Sequence, residues 1–440
     1  MKRLYEPSAY ETPKNCFWTQ ALRPVAWPRG VGRVSAEVAI IGGGYTGLST
    51  ALRLADRSVD VALFEARTPG WGASGRNGGF CCLGGGRLGR SRTINALGPD
   101  AWSDWCDAQK MAVQWVDRVI VEHALEVERH SNGETVLAHS ARAMADLRAD
   151  AQNITQDFAV TPTLHEASDL RGQGLSGPFH GAMTLPIGFA LNPARYHAGL
   201  AGAAQAAGVQ LYQQAPVTRI TAHATGYRLD GPDLQCDAQK VVLATNGYSS
   251  EDIPDWLRGR TLPVMSSIII TRPLTHSEMQ AQGWTSDQMA YDSRTLLHYF
   301  RKLPDNRFLF GMRGGLRATP GAEAAIARKI RKDFHTMFPA WRDVEITHAW
   351  SGLACLMSNL SPFCAEVPGH SGLFAGLGYH GNGVAMASYT GRLLGDLVLG
   401  ETPDMPYPTV MRTVPKRFPL GRYRRALLTP VYAAATLLDR

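Results

Sequence analysis

The segment from Val38 to Glu65, VAIIGGGYTGLSTALRLADRSVDVALFE, constrains the fold more than any other part of this chain. An apolar run leads into Gly42, Gly44 and Gly47, spaced as G-x-G-x-x-G, and a helical stretch and a second apolar run follow. In such a unit the first glycine permits a tight turn, the second lets a pyrophosphate approach the backbone, and the third lets the helix lie close to the sheet. The segment therefore predicts a dinucleotide-binding βαβ unit whose final Glu65 binds a ribose hydroxyl.

Composition excludes several classes of protein. The chain has 440 residues, of which 45% are hydrophobic and 19% charged, an ordinary globular balance that allows two or three domains. Seven cysteines without a C-x-x-C pair predict neither a disulfide framework nor a metal site, and favour a reducing, cytoplasmic location. The opening MKRLYEPSAYETPK has no apolar core, and no run of about 18 apolar residues occurs, so neither a signal peptide nor a membrane span is expected.

Much of the net charge of +7 lies in the tail, residues 401–440, where seven basic residues face three acidic ones. The basic residues are Arg412, Lys416, Arg417, Arg422, Arg424, Arg425 and Arg440. Two interpretations of this tail and its short helix in RYRRALL stay open. It docks on its own domain or on a sister subunit, or it touches an anionic membrane surface or an acidic partner. No interleaved basic and aromatic patch appears elsewhere, so a nucleic-acid partner is not expected.

Nucleotide-type elements recur at three separated places, which predicts interleaved domains. They are the opening unit with the glycine-rich stretch 68–92, the strand and turn KVVLATNGYS, and the closing GLFAGLGYHGNGVAMASYTGRLLGDLVLG, where a helix is expected over 383–399. We expect an α/β fold with a discontinuous Rossmann-type domain at 33–90, 187–262 and 344–400. An α+β substrate domain built on an antiparallel sheet is expected at 91–186 and 263–343, and the basic tail follows at 401–440.

Several of these segments together resemble a known superfamily. GGGYTGLSTALRLA, WGASGRNGGF, LNPARYHAGL, VVLATNGYS and GYHGNGVAMASYTGRLLGDLV are similar to FAD enzymes of the D-amino acid oxidase, glycine oxidase and sarcosine oxidase superfamily. The subgroup that looks nearest is that of γ-glutamylputrescine oxidoreductase, and the resemblance extends from about Val34 to Gly400. It implies non-covalent FAD and oxidation of the C–N bond of an amine or amino acid. The substrate would be a secondary amine, an N-substituted amino acid or a γ-glutamylated amine, with O₂ or an electron carrier as acceptor.

The resemblance also implies which residues lie against FAD. The opening glycines would bind the pyrophosphate, Glu65 the adenosine ribose and Val217 the adenine, while the later glycine-rich segments would follow the flavin. The implied cofactor-binding residues are Gly42, Gly44, Tyr45, Thr46, Gly47, Glu65, Ala66, Arg67, Gly72, Ala73, Ser74, Arg76, Asn77, Gly78, Gly79, Val217, Thr245, Asn246, Gly247, Gly352, Gly378, His380, Gly381, Asn382, Gly383 and Val384.

Candidate catalytic residues are His380, Tyr299 and Arg301. Tyr299 and Arg301 lie two apart on the expected strand LLHYFRKL and therefore on one face of a sheet. An arginine there would hold a substrate carboxylate in a bidentate pair, although a surface arginine is the simpler interpretation. His380 would contact substrate or flavin, or make a structural hydrogen bond. His180 and Trp350 are further candidates for substrate contact.

Two departures from the family leave alternatives open. Asn359 stands where members usually have an aspartate, and apolar Leu309 occupies the position matched to a lysine that activates oxygen in sarcosine oxidase-like members. The alternatives are a membrane-surface dehydrogenase that passes electrons to a quinone or carrier, a non-catalytic FAD-binding subunit, and a tRNA-modifying flavin domain. Covalent attachment of flavin through Cys355 is a further possibility, and an oligomer is compatible with the sequence.

Overall fold

Two large β-sheets organise the chain, with helices packed around them. The computed structural model describes residues 1–22 and 25–439. Its strands, in chain order, are β1 Gly32–Ile41, β2 Val61–Phe64, β3 Phe80–Cys81, β4 Glu134–Leu137, β5 Thr163–Glu166, β6 Gly181–Leu185, β7 Phe189–Ala190, β8 Gln210–Tyr212, β9 Arg219–His223, β10 Gly226–Asp230, β11 Leu234–Leu243, β12 Thr261–Thr271, β13 Met289–Asp292, β14 His298–Lys302, β15 Phe308–Arg313, β16 Ile346–Met357, β17 Phe363–Glu366 and β18 Leu373–Leu377.

The helices include the predicted closing helix with its expected bounds. In chain order they are α1 Phe17–Ala21, α2 Tyr45–Ala55, α3 Arg90–Leu97, α4 Pro99–Glu122, α5 Ala141–Phe158, α6 Pro193–Ala206, α7 His276–Gln282, α8 Pro320–Met337, α9 Gly383–Leu399, α10 Thr409–Arg412 and α11 Leu428–Leu438. Short 3₁₀ turns occur at Pro7–Tyr10, Ala73–Gly75, Asn246–Tyr248, Asp255–Leu257, Pro339–Trp341 and Gly421–Leu427. Among the described residues, none of these helices is both long and apolar enough to cross a bilayer.

The first sheet confirms the predicted Rossmann-type unit. Its order is β17-β18-β11-β1-β2-β8, with the hairpin strands β9 and β10 added beside β11. The strands β8, β2, β1, β11 and β18 pair in parallel. Alternate residues of β1 enter different cores, since Val38 and Ile40 pack below α2 and α9 whereas Ala39 and Ile41 pack on the opposite face. Both faces are therefore covered, as a parallel sheet requires.

The second sheet has the order β16-β12-β15-β14-β13-β4-β6-β5 and is antiparallel apart from the β13–β4 pair. One face packs against α8 through an aromatic core that includes Phe300, Phe308, Phe334 and Trp341. The segment 344–400 is expected in the Rossmann-type domain, but β16, which lies within it, pairs with β12 in this second sheet.

The basic tail docks on its own chain, which is the first of the two interpretations. Arg424 is fully buried, donates to the carbonyl of Thr261 at 2.7 Å and pairs with Glu251. Arg425 forms a two-point pair with Glu6 at 2.8 and 3.0 Å. Two of the basic residues are therefore neutralised internally. Arg440, which the sequence also counts in this tail, lies outside the described residues.

The carboxylate of Asp439 holds the end of the tail by accepting two hydrogen bonds from backbone amides. The side chain of Asp439 accepts hydrogen bonds from the amides of Thr295 and Leu296 at 3.0 and 3.2 Å. These two residues belong to the loop between β13 and β14 and border the cavity described below. The segment 421–439 is therefore anchored at both of its ends.

Substitution of Arg424 tests this docking. Removing one partner of a buried ion pair costs about 3–5 kcal/mol, because the other charge is left uncompensated. We expect Arg424→Met to loosen residues 421–439 and to speed tryptic cleavage near Arg422, followed by gel electrophoresis and mass spectrometry of the fragments. The control is Arg412→Met, since Arg412 is exposed and remote from this pair. Equal cleavage of the Arg424 variant and the control would contradict the docking.

Candidate functional site

A cavity of about 630 Å³ lies where the glycine turn after β1 meets the second sheet. This volume is within the range of cofactor and ligand sites, and the crevice at the carboxyl ends of parallel strands is where open α/β sheets bind ligands. Its walls come from both sheets, from the loop between β2 and β3, and from α11. The cavity therefore combines a nucleotide end and an end shaped by the second sheet.

The three glycines of the opening motif have different reasons to be glycine. A Cβ on Gly42 would lie 2.7 Å from the carbonyl oxygen of Ala244, and one on Gly47 would lie 2.0 Å from the oxygen of Gly42. Gly47 is therefore required by the packing of α2 against the turn, and Gly42 by the packing of that turn against the end of β11. At Gly44 a Cβ meets only the hydroxyl of Ser74, at 2.9 Å, and otherwise enters the cavity. Gly44 differs from the other two because a side chain at this position would occupy the cavity.

The first turn of α2 presents backbone donors rather than a capping side chain. Its N-cap, Gly44, provides no side-chain hydrogen bond. The amide of Tyr45 donates to the Ser74 hydroxyl at 3.0 Å, and the Tyr45 hydroxyl donates to the carbonyl of Ser74 at 2.8 Å. The helix start and the glycine-rich loop are thereby joined, with the positive end of the helix dipole directed at the cavity.

Glu65 borders the nucleotide end, as the motif predicts. Its carboxylate accepts from the amides of Gly43 and Arg67 at 3.0 and 2.9 Å. Burial raises the pKa of Glu65, while these amide donors act in the opposite direction. The adjacent Val217 also borders the cavity, and neither its N–H nor its C=O pairs with another described residue. Its backbone is available to an adenine edge.

The glycine-rich loop is ordered by its own polar side chains. The Nε of Arg76 donates to the carbonyl of Trp71 at 2.6 Å, and the guanidinium lies 4.3 Å from the centre of the Trp71 ring. The amide group of Asn77 donates to the carbonyls of Ala73 and Ser74, both at 3.1 Å. These contacts make the loop an ordered wall of the cavity.

The far end is formed by the turn before α9. Asn246 accepts from the amide of Gly378 at 2.9 Å, and a Cβ on Gly378 would lie 2.0 Å from Met357. The ring of His380 is 4% exposed, and its Nε2 accepts from the amide of Met357 at 3.3 Å. Burial, with the nearby Arg87 and Arg313, lowers the pKa of His380 to about 3. The imidazole is therefore neutral at physiological pH, and its low pKa makes it a weak general base.

Most of the sequence-predicted residues converge on this one cavity. Those that border it are Gly42, Gly44, Tyr45, Thr46, Glu65, Ala66, Arg67, Gly72, Ala73, Ser74, Arg76, Asn77, Gly78, Val217, Thr245, Asn246, Gly352, Tyr299, His380, Gly381, Asn382, Gly383 and Val384. Gly47, Gly79, Gly247 and Gly378 do not border it and instead allow close backbone packing around it.

Arg301 is placed differently from its expected role. It is fully buried outside the cavity, where Nε donates to the carbonyl of Gly78 at 2.9 Å and Nη2 to that of Leu191 at 2.8 Å. Its Nη1 lies 2.7 Å from the Nε2 of His130. Each of its three nitrogens has a protein partner, and Arg301 does not border the cavity, so it is not placed to bind a substrate carboxylate there. Tyr299, two residues earlier, does border the cavity and contacts the Ser266 hydroxyl at 2.9 Å.

The remaining sequence candidates lie away from the cavity. His180 is exposed, and the indole of Trp350 donates to the carbonyl of Arg76 at 2.8 Å behind the glycine-rich loop. Leu309 packs in a buried cluster with Trp18 and Ile270. Asn359 ties the loop before β17 to the tail by donating to the carbonyl of Thr413 at 3.2 Å. None of these four candidate positions contributes to the cavity wall.

Sequence reasoning missed the charged residues at the end beside the second sheet. Arg87, Glu134 and Arg313 border the cavity there, together with Tyr291 and the tail residue Tyr432. The position of Arg313 could have been predicted from strand alternation. In β15 it lies two residues after Gly311 and therefore on the same face of the sheet, and Gly311 is paired with Tyr299, which borders the cavity. The other residues converge only through tertiary contacts.

Arg313 is a charged group without a carboxylate partner among the described residues. Its Nη2 donates to the side-chain oxygen of Asn382 at 3.3 Å, and no Asp or Glu contributes to its electrostatic environment. Burial, reinforced by the positive charge of Arg87, lowers the pKa of Arg313 to about 10. It is therefore cationic at neutral pH and faces a cavity that holds a second cation, which favours an anionic ligand group.

The cysteine considered for covalent attachment is unreactive. Cys355 borders the cavity, and burial raises the pKa of its thiol to about 12. Because the thiolate is the reactive form, this cysteine is a packing residue rather than a nucleophile. All seven cysteines are unpaired, and within the described residues no group of His, Cys, Asp and Glu has the arrangement of a metal site.

The comparisons with known proteins agree with this geometry. The family model for FAD-dependent oxidoreductases matches residues 37–397. The chain is 32% identical to a probable oxidoreductase OrdL of Rhizobium meliloti (strain 1021), across 95% of each chain. It is 27% identical to the gamma-glutamylputrescine oxidoreductase of Escherichia coli (strain K12), across 92% of this chain and 93% of that one.

A solved structure has the same fold. The glycine oxidase from Geobacillus kaustophilus superposes with a TM-score of 0.69 at 21% identity, over 84% of this chain and 96% of that one. FAD fits the residues present here. The space above Gly44, the uncapped start of α2 and the Glu65 carboxylate suit its adenosine and pyrophosphate, and the loop 72–78 with the start of α9 suits its flavin.

Substitution of Gly44 tests the cofactor site. The side chain of Gly44→Val would enter the cavity while meeting only the flexible Ser74 hydroxyl of the protein. We therefore expect a folded protein, judged by circular dichroism and thermal midpoint, that is purified without FAD absorbance. The control is Gly321→Val, because nothing lies within 4 Å of a Cβ at that position. Full flavin occupancy of the Gly44 variant would contradict the assignment.

Proposed function

This chain belongs to the family of FAD-dependent oxidoreductases, and we propose that its substrate is an amine that carries a carboxylate. The candidates are a secondary amine with a carboxylate, an N-substituted amino acid and a γ-glutamylated amine. Bound FAD supplies the hydride acceptor for oxidation of the C–N bond, and the imine product hydrolyses in water. Both glycine and γ-glutamylated amines contain a carboxylate, and enzymes named for these substrates are among the relatives.

The observation that carries the proposal is the cationic Arg313 on the cavity wall. A guanidinium binds a carboxylate through two parallel hydrogen bonds, which fixes the orientation as well as the position of the substrate. The pKa of Arg313 stays near 10 despite burial, so its charge is present at neutral pH. Its contact with Asn382 places this charge beside the turn that leads into α9.

Other residues of the cavity would exclude water and stabilise negative charge. Leu296, Leu297 and Leu428 supply an apolar wall at the end beside the second sheet. The amides at the start of α9, from Gly383 onward, direct the positive end of the helix dipole towards the cavity. The Tyr299 hydroxyl stays protonated, because burial raises its pKa to about 12, so it serves as a neutral hydrogen-bonding group.

A second candidate is a dehydrogenase that passes electrons to a quinone or carrier rather than to O₂. The basic groups that border the cavity are Arg3, Arg67, Arg76, Arg87, Arg313 and the neutral His380, and no lysine is among the described wall residues. Sarcosine oxidase-like enzymes use a lysine beside the flavin to activate oxygen. The wall therefore favours slow reaction with oxygen.

Anaerobic titration of the purified holoenzyme tests both proposals. We expect bleaching of the flavin absorbance by at least one of sarcosine, N-substituted glycines and γ-glutamylated amines, and no bleaching by the corresponding amines without a carboxylate. Reoxidation should be slower in air than with a soluble quinone. A flavin that no carboxylate-bearing amine reduces would argue against the proposed substrate class. Faster reoxidation by air would instead favour an oxidase.

Removing the charge of Arg313 by substitution tests its role in binding the substrate carboxylate. We expect Arg313→Met to raise KM for the amine that bleaches the flavin by about ten- to hundredfold, because a hydrogen bond to a charged group contributes about 1.5–3 kcal/mol. The control is Arg317→Met, an exposed arginine outside the cavity. FAD content should be unchanged in both variants. An unaltered KM in the Arg313 variant would exclude carboxylate binding by this residue.

A further inference from the structure

Glu134 is a buried carboxyl group on the cavity wall that the proposed function does not yet use. Its side chain is 5% exposed and lies in β4, an interior strand of the second sheet. Its neighbours on the adjacent strands are Met289 of β13 and Leu185 of β6, which offer neither charge nor a hydrogen bond. Glutamate is almost never fully buried without a partner, because an unpaired charge in an apolar environment is costly.

No described basic residue neutralises Glu134. Burial raises its pKa to about 8, and the adjacent Cys82 thiol offsets only part of this effect. The other ionisable groups that face it are Cys81 and Tyr291, both with pKa values raised by burial and therefore neutral at physiological pH. A buried carboxyl group that borders a ligand cavity and has no cationic protein partner is typical of a binding site rather than of structural packing.

Glu134 and Arg313 share a small set of neighbours on the cavity wall. Asn382 accepts from Arg313 at 3.3 Å, and its amide nitrogen lies 3.8 Å from the Cys82 sulfur. Cys82 in turn adjoins the Glu134 carboxyl. The negative charge of Glu134 raises the pKa of Tyr291, whereas the positive charge of Arg313 lowers it. The cavity therefore has an acidic and a basic group in one neighbourhood, linked through Asn382, Cys82 and Tyr291.

We propose that Glu134 binds the amino nitrogen of the substrate while Arg313 binds its carboxylate, so that the cavity recognises a zwitterion. The inference rests on the proposed function, since it assigns the second charged group of the same substrate. It also gives the buried carboxyl group a cationic partner, which the described protein residues do not provide. An amine without a carboxylate, or a carboxylate without an amine, would satisfy only one of the two groups.

The proton balance of this binding follows from the protonation state of Glu134. At neutral pH most of the free protein carries a protonated Glu134, and the substrate in water is an ammonium. Binding then releases one proton to solvent, and the one that remains is shared between the substrate nitrogen and a carboxyl oxygen of Glu134. When that proton lies on Glu134, the nitrogen retains its lone pair. This neutral amine is the form whose neighbouring C–H is oxidised.

A matched pair of redox-inert ligands measures the contribution of charge. Glycine betaine and 3,3-dimethylbutyrate have the same shape and the same carboxylate, but only betaine has a positive nitrogen. Binding of each to the FAD-loaded enzyme is followed by the change in flavin absorbance as a function of pH. Because betaine requires the ionised form of Glu134, its affinity should rise about tenfold per pH unit from about pH 6 to about pH 8 and then level off. The affinity for 3,3-dimethylbutyrate should lack this rise.

Glu134→Gln should remove the pH dependence for betaine and leave the affinity for 3,3-dimethylbutyrate within about twofold. Glutamine has the shape of the protonated glutamate already present at neutral pH, so the fold and the FAD content should be retained. The control is Glu126→Gln, an exposed residue outside the cavity. The wild-type ratio of the two affinities tests the proposal without any variant.

The outcomes separate this inference from the proposed function. One outcome is that 3,3-dimethylbutyrate binds and a carboxylate-bearing amine bleaches the flavin, but the affinity for betaine does not rise with pH. This outcome overturns the role of Glu134 and leaves that of Arg313 intact. A betaine preference that persists unchanged in Glu134→Gln also overturns it, because the cation would then be bound elsewhere. If neither ligand binds and no such amine bleaches the flavin, both proposals fail.

Discussion

The close approach of helix α2 to the turn after β1 is the contact on which the rest of this molecule depends. Any side chain at Gly47 would collide with the carbonyl oxygen of Gly42, and any side chain at Gly42 would collide with the carbonyl oxygen of Ala244. Only glycines let the helix lie low enough for its first turn to face the space beside β11. The same approach brings Tyr45 within hydrogen-bonding distance of Ser74, which positions the glycine-rich loop. One steric constraint thus sets both the cofactor cradle and the wall opposite to it.

Arg301 performs the corresponding task between the two sheets. From β14 its guanidinium reaches the carbonyls of Gly78 and Leu191, and so joins the second sheet to the glycine-rich loop and to the segment before α6. Burial lowers its pKa to about 9, which still leaves the group charged at neutral pH. A guanidinium is suited to this position because its donors have a fixed planar geometry. The arginine expected to bind substrate instead keeps the cavity wall in place.

The electrostatics of the cavity separate its two ends. At the nucleotide end, backbone amides and the helix start suit phosphate, and Glu65 is partly compensated by amide donors. At the other end, burial together with the positive charges of Arg87 and Arg313 keeps His380 neutral. Glu134 is the acidic group of that region, and its burial among apolar strand neighbours accounts for its affinity for protons. Such uncompensated charges are unfavourable for folding, and a zwitterionic ligand would relieve them.

Local spacing was enough to predict the βαβ unit, while the resemblance of contiguous segments to known FAD enzymes implied the family and most of the named residues that border the cavity. Glycines within a single turn, an acidic residue at the end of the second strand and a helix start at Gly383 are features of contiguous sequence, and steric rules act on them directly. The assignment of β16 to the second sheet, the burial of Arg301 and the meeting of Glu134 with Arg313 depended on tertiary structure. These residues are separated by more than 170 positions in the case of Glu134 and Arg313. Whether a charged side chain on a strand faces a ligand, a carbonyl or solvent depends on what packs against that strand, and no local pattern carries this information.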